Sequence, residues 1–394
     1  MTTEYEPLSA DFLQTHTYLS SQEQQSLAQL RAFLAEKAAP YVNSWWRDSI
    51  FPTELLNELA LGGWFRHAYD RTRPFENSAL YRGMMALELA RVDASLATFF
   101  GVHTGLSMGS IMLNGSEAQR NQFIDSMADG EVIGCFALTE PDHGSDVARG
   151  LETTARRDGE NWVLNGAKRW IGNATIADLA VVWAKDTADD NVKGFLVDTA
   201  AEGFSATKIE DKYALRIVQN ADILLDNVVV PETSRLQHAN SFRDTAKVLQ
   251  LTRLEVAFTT LGNAIGAYEK TVAYTKQREQ FGKSLHSFQL VQDLLSRCLA
   301  NITSSWALAM EVARMSDQGR QEDHHSSMAK LVVANQTREV VAWCRELLGG
   351  NGIVLDEGVM RHFVDAEALY SFEGTREMNS LIVGRTITGQ QAFV

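Results

Sequence analysis

The chain of 394 residues carries 36 basic and 50 acidic side chains, for a net charge of −14. Hydrophobic residues make up 45% and charged residues 22%, which excludes a disordered chain and leaves core enough for two or three domains. The acidic balance argues against nucleic-acid binding. Three scattered cysteines are too few for a disulfide scaffold or a metal site, so no metal and a reducing compartment are expected.

The opening residues MTTEYEPLSADFLQ lack a basic region followed by an apolar run, so neither a secretory nor a transit signal is expected. The closing GQQAFV matches no peroxisomal tripeptide, which makes the cytoplasm the expected location. In the first third, Ser21 with Gln24 forms a capping box ahead of Leu27, Leu30 and Leu34. Thr53 is placed to cap a short helix ending at Gly62 and Gly63. Helices follow over 79–114 and 117–128. The stretch 94–116 is uncharged and long enough to span a bilayer, but its Ser, Thr, His and Gly content predicts a buried helix and no membrane insertion.

The middle changes character. Residues 152–156, a turn at Asp158 and Gly159, and 162–164 read as a hairpin. Short apolar or alternating runs at 179–184, 194–197, 204–209 and 221–230 predict further strands. Beyond Pro231 there is no proline, so long helices are permitted. Leu254, Phe258, Leu261, Ile265, Tyr268 and Val272 form a helical stripe, and helices also read over 288–317, 325–348 and 375–388. The expected fold is mostly α with a central β domain: 1–134 helical, 135–234 β, and 235–394 a helical bundle.

Four segments carry residues suited to chemistry. CFALTEPDHGSD (135–146) offers backbone donors and hydroxyls to a phosphate or a flat ring, though by itself it reads more readily as a surface turn. KRWIGN (168–173) sets an indole beside a glycine, as one wall of a ring slot or as a core tryptophan. REQFG (278–282) supplies the forked donors of Arg278 for a diphosphate, and ELLGGNG (346–352) supplies glycines for close backbone approach. That glycine run also fits a helix C-cap, and it lacks the GxGxxG order of a Rossmann loop. In FEGTREMNSLIVGR (372–385), Glu373 is either a general base or, more commonly for such a residue, a helix cap. Ser145 has no histidine–acid partners in its motif, so a hydrolase triad is unsupported.

Together and in this order the four segments resemble the acyl-CoA dehydrogenase family. Within it the likeness is to glutaryl-CoA dehydrogenases and to the short-chain acyl-CoA oxidases of plant peroxisomes. The resemblance implies a helical domain, a β barrel-like domain and a four-helix bundle, assembled as a homotetramer (a dimer of dimers). It implies FAD-dependent α,β-dehydrogenation of an acyl-CoA, with Glu373 as base and with its backbone N–H and a flavin hydroxyl binding the thioester carbonyl. By motif match, Phe136, Leu138, Thr139, Gly144 and Ser145 line the flavin and its diphosphate, with Trp170 and Ile171 against the ring. Arg278, Gln280 and Phe281 hold the adenine half across a dimer interface, Glu346, Gly349 and Gly350 of the neighbouring subunit approach the diphosphate, and Thr375 and Glu377 complete the pocket. Ser145, Arg253 and Gly374 fall on the substrate side. Some relatives carry the base beside the arginine matching Arg253; Thr252 stands there and cannot serve.

Three departures shape the expected activity. Ala97 stands where glutaryl-CoA dehydrogenases carry an arginine for the distal carboxylate, which disfavours that substrate and predicts a monocarboxylic short- or medium-chain acyl-CoA. Gly172 replaces the usual hydroxyl residue near the flavin, so direct reoxidation by oxygen stands as an alternative to an electron-transfer flavoprotein. Phe372 replaces a tyrosine before the base. Ala97, Phe100, His103 and Leu106 are expected near the acyl pocket, His103 as a satisfied core histidine. A non-catalytic CoA-binding scaffold is the alternative outside enzymology.

Overall fold

The computed structural model describes residues 4–390. The terminal tripeptide considered above lies outside them, as do the first three residues. The first helical layer comprises α1 (Ser21–Lys37), α2 (Val42–Asp48), α3 (Glu54–Leu61), α4 (Ala79–Val92), α5 (Ala94–Phe100), α6 (Met108–Asn114) and α7 (Glu117–Ala128). Between α5 and α6 runs a wide π-helical turn, Gly101–Ser107. The α1 capping box sits one residue earlier than expected. Ser20 and Glu23 exchange the bonds, and Ser20 has the extended backbone an N-cap requires. Thr53 makes no capping hydrogen bond. The expected 79–114 helix is broken at Asp93, whose extended backbone ends α4 and whose side chain caps α5 through the Ser95 N–H (2.9 Å).

A single-turn α8 (Val147–Gly150) precedes most of the β domain: β1 (Gly134–Ala137), β2 (Thr154–Asp158), β3 (Asn161–Ile171), β4 (Leu179–Asp186), β5 (Val192–Asp198), β6 (Phe204–Lys208) and β7 (Ala221–Pro231). The sheet runs β1-β4-β2-β3-β7-β6, with β5 paired to β4. The expected hairpin is β2–β3, in register from Thr154 opposite Asn165 to Asp158 opposite Asn161. A β-bulge in β3 between Lys168 and Ile171 re-aims Trp170.

The C-terminal layer is α9 (Phe242–Gln277), a small hairpin β8 (Glu279–Gln280) and β9 (Lys283–Ser284), α10 (Gln289–Asp317), α11 (Asp323–Leu347), α12 (Val359–Ser371) and α13 (Arg376–Thr388). α11 packs on α9, α10, α12 and α13, and α9 also packs on α4, so the two helical domains share one apolar core that contains Phe65, Leu87, Phe258, Leu261 and Trp306. The helix Ala94–Asn114 is apolar enough by length and composition to cross a membrane, and most of it is buried within the fold.

Candidate active site

Glu373 follows α12 in a left-handed conformation (φ 53°), and Gly374 continues it (φ 88°). A non-glycine residue held there signals a turn that its surroundings enforce. Lys330 of α11 enforces it: Nζ donates to the carbonyls of Tyr370 and Gly374, each at 2.8 Å. Asn379 Nδ2 donates to Gly374 O as well (2.7 Å). Glu373 is not the cap of α13. Thr375 holds that place, accepting from the Met378 N–H at 3.3 Å. The Glu373 carboxylate is therefore left free and turned inward, where Thr252 Oγ1 donates to its Oε2 at 3.1 Å. Burial raises its pKa above the ordinary carboxylate value; the nearby Arg253 and Lys330 charges and the Thr252 hydrogen bond oppose the shift. Arg253 is itself bound to Asp323 and lies 3.4 Å from Ser327 Oγ.

The loop at the entrance to the β domain is braced from beneath. Glu140 accepts the N–H groups of Glu152 and Thr153 (2.6 and 2.9 Å) and pairs with buried Lys168 at 2.8 Å. Lys168 also donates to Leu138 O (3.0 Å). Thr139 and Arg169 exchange two bonds, Oγ1 to O at 2.6 Å and N to O at 2.8 Å. These bonds tie 138–140 to β3 and place Trp170 at the rim. Trp170 has φ 65° and is 53% exposed, so the bulge holds its indole open at the surface in a backbone conformation that a large residue rarely adopts. Phe136, Leu138 and Ile171 are buried, while Gly144 and Ser145 are exposed. A Cβ on Gly144 would meet nothing, so the loop leaves open room.

The β domain and the Glu373 turn are joined through residues 212–220. Gly172 faces Val102 of the π turn and Val218, and Val218 shares an apolar cluster with Leu215, Leu369 and Phe372. Lys212 Nζ fixes this crossing by donating to Leu215 O, Val218 O and Asn220 Oδ1 (2.8, 2.8 and 2.6 Å). His103 is a satisfied core histidine: its Nε2 lies 3.0 Å from Met127 O and its Nδ1 accepts the Gly134 N–H at 3.1 Å. Burial lowers its pKa to about 4.

The remaining motif residues gather at the other end of α9. Arg278, Gln280, Glu346, Gly349 and Gly350 line one cavity of about 340 Å³. The expectation divided these residues between two subunits; within a single chain they already share a groove. Gly349 (φ 57°) follows the C-cap of α11, so the capping and ligand readings coexist. The β8–β9 turn holds Phe281 and Gly282 at positive φ, and Phe281 is 94% exposed. Glu377 lies on the surface and pairs with Arg376 at 2.7 Å.

Three family models match in sequence: the acyl-CoA dehydrogenase N-terminal domain at 20–131, the middle domain at 135–228 and the C-terminal domain at 242–388. The chain belongs to the acyl-CoA dehydrogenase family. It is 31% identical to human mitochondrial short-chain specific acyl-CoA dehydrogenase, over 94% of this chain and 92% of that protein. It is 30% identical to the caffeyl-CoA reductase-Etf complex subunit CarC of Acetobacterium woodii, over 84% of this chain and 89% of that one. The glutaryl-CoA dehydrogenase of Mycobacterium smegmatis in complex with FADH2 superposes with a TM-score of 0.94 at 35% identity, covering 98% of this chain and 100% of that chain. The protein is an FAD-dependent oxidoreductase of this family. The exposed, strained Trp170 and the open Arg278–Gly350 groove fit a flavin ring and the far half of its dinucleotide.

Sequence reasoning missed Glu140, Lys168, Lys212 and Lys330, which hold the site from behind. Glu140 lay inside a motif already singled out, and a carboxylate followed at a distance by a β-strand lysine was the available signal. Thr252 was set aside as a base, and its hydroxyl instead donates to the Glu373 carboxylate.

Proposed function

We propose that the protein dehydrogenates a short- or medium-chain monocarboxylic acyl-CoA to the trans-2-enoyl-CoA, with Glu373 taking the α-proton. The observation that carries this is the freed, inward Glu373 carboxylate on a turn clamped by Lys330. A solvated Glu with pKa ~4.3 is a poor base for a thioester α-proton. Burial strengthens Glu373 as a base. Thr252 orients the carboxylate, and the Glu373 N–H offers a donor to the thioester carbonyl as enolate character develops. FAD, when bound, would supply the acceptor for the β-hydride, so that the substrate loses one proton to Glu373 and one hydride and gains the C=C bond. Leu138, Thr139, Ser145, Trp170 and Ile171 would hold its ring side, and Arg278, Gln280, Phe281, Glu346, Gly349 and Gly350 its far half. Thr375 sits near the turn, and Gly374 and Arg253 border the substrate.

Ala97 is buried with no cation in its place, which supports a monocarboxylic substrate. An electron-transfer flavoprotein is the favoured acceptor, supported by the relative whose name includes an Etf complex. Gly172, whose missing Cβ would stand 3.3 Å from a Val102 methyl and 3.9 Å from Asn220 and Val218, favours a second reading in which oxygen reoxidises the flavin. The apolar Phe281, Leu290, Ile353 and Ile387 exposed on the C-terminal layer support a homotetramer. Three free, buried cysteines agree with action in the cytoplasm. Anaerobic mixing with hexanoyl-CoA is expected to bleach the flavin absorbance, with reoxidation faster by electron-transfer flavoprotein than by air. Bleaching by glutaryl-CoA with carbon dioxide release, and by no straight-chain acyl-CoA, would overturn the reading.

A further inference from the structure

The wall beside the base holds a second carboxylate. Glu255 lies one helical turn beyond Thr252 on α9, on the side of the helix that faces the π turn. A Cβ added to Gly105 would stand 2.8 Å from Thr252 Cγ2 and 3.4 Å from Glu255 Oε2. The carboxylate therefore packs against bare backbone in the segment that continues from Ala97 and Phe100 and carries Leu106, the residues expected at the acyl pocket. It lies within electrostatic reach of Glu373.

The groups around it are engaged elsewhere. Tyr69 Oη donates to Thr104 O at 2.9 Å, and Arg82 Nη1 donates to Asn77 Oδ1 at 2.8 Å. Among the described residues no hydrogen bond or ion pair reaches the Glu255 carboxylate. Burial pushes its pKa up to about 7, against the attraction of Arg82 and with a further upward push from Glu373. Glu255 is half-buried, and its oxygens are not sealed inside the core; a carboxylate drawn away from bulk water ordinarily has donors for its oxygens. An unpartnered one in the substrate wall points to a donor arriving with the substrate.

We infer that Glu255 selects the acyl group, accepting a hydrogen bond from a hydroxyl on the acyl chain and repelling a chain that ends in a carboxylate. The inference rests on the acyl-CoA reading above and deepens it: the missing cation at Ala97 removes attraction for a distal carboxylate, and Glu255 adds repulsion.

The test is a five-carbon series read by flavin reduction in the FAD-loaded protein: valeryl-CoA, 4-hydroxyvaleryl-CoA, 5-hydroxyvaleryl-CoA and glutaryl-CoA. The wild type is expected to prefer at least one hydroxylated substrate over valeryl-CoA, and to discriminate against glutaryl-CoA. In Glu255→Leu the ratio of kcat/KM for that hydroxylated substrate over valeryl-CoA should fall by about tenfold or more. Glu255→Gln keeps an acceptor of the same shape and loses the charge. It should retain much of the hydroxyl preference while discriminating less against glutaryl-CoA, and it guards against Glu255→Leu failing to fold. Unchanged ratios in both variants would overturn the inference and leave the acyl-CoA reading standing. Loss of flavin reduction with every substrate in Glu255→Gln would overturn it by making Glu255 the base. A wild type reduced by none of the four while hexanoyl-CoA still bleaches it would overturn the inference alone; failure of hexanoyl-CoA too would bring down both.

Discussion

Two inward-facing acidic sites in this molecule are built in opposite ways. Glu140, under the loop at the entrance to the β domain, has a lysine at 2.8 Å and two backbone N–H donors. Burial alone would raise its pKa, but Lys168 and these hydrogen bonds outweigh burial and hold it below the ordinary carboxylate range. Glu373 and Glu255 share their wall with one hydroxyl bond between them, and burial raises both. The difference separates scaffold from chemistry. A fully satisfied ion fixes geometry and stays charged, whereas an under-satisfied one keeps capacity to take a proton or a donor.

The sharpest break of this contrast is at Glu373. Glu373→Gln is expected to slow flavin reduction by acyl-CoA by about 10²–10⁴-fold while the bound-flavin spectrum stays intact, as rapid-mixing absorbance would record. An undiminished rate would move the base elsewhere. At the scaffold site, Lys168→Met strands Glu140 without its counter-ion and should cost about 3–5 kcal/mol, read as a lower denaturation midpoint. Adding Glu140→Gln to that variant should recover part of the loss, whereas no recovery would mean that packing, and not the stranded charge, was the cause.

The smallest effect is in the pH dependence of stability. Glu255, held near 7, favours its protonated form in the folded protein, so its contribution is full below about 4.3 and is lost as pH rises through about 7. Glu140, held low, has the opposite slope: its contribution is present above about 4.3 and is lost as pH falls through its lowered folded value. Melting curves of Glu255→Gln should therefore gain on the wild type by a few degrees between pH 5 and pH 8. A difference that does not change with pH would show that Glu255 is already satisfied.

Much of this arrangement was legible from residue order. The apolar stripe from Leu254 to Val272 falls within α9, and the turn expected at Asp158-Gly159 forms one residue on, at Gly159 and Glu160, between β2 and β3. What escaped was set by distant partners. Thr252 and Glu373 are 121 positions apart and meet only after α9 and α12 pack together. Lys330 reads as one more polar residue on a helix until its amine is found on the carbonyls of Tyr370 and Gly374. The capping box moved from Ser21 to Ser20 because both registers satisfy the same short pattern, and the one that gives the helix start a carboxylate prevailed. α2 and α12 were missed although Pro40 and Gly358 stand just ahead of them, because neither carries a side-chain N-cap, and α12 packs on α9 and α11.

The wide turn at Gly101–Ser107 has a consequence for anyone reshaping this pocket. One stretch of backbone presents Val102 toward Gly172 and Gly105 toward Thr252 and Glu255. Removing a single residue to restore ordinary helical winding would leave α6 nearly in phase but abolish the wide turn itself, so both contacts would be lost together. Trimming or enlarging side chains there can retune each wall separately, whereas a deletion cannot.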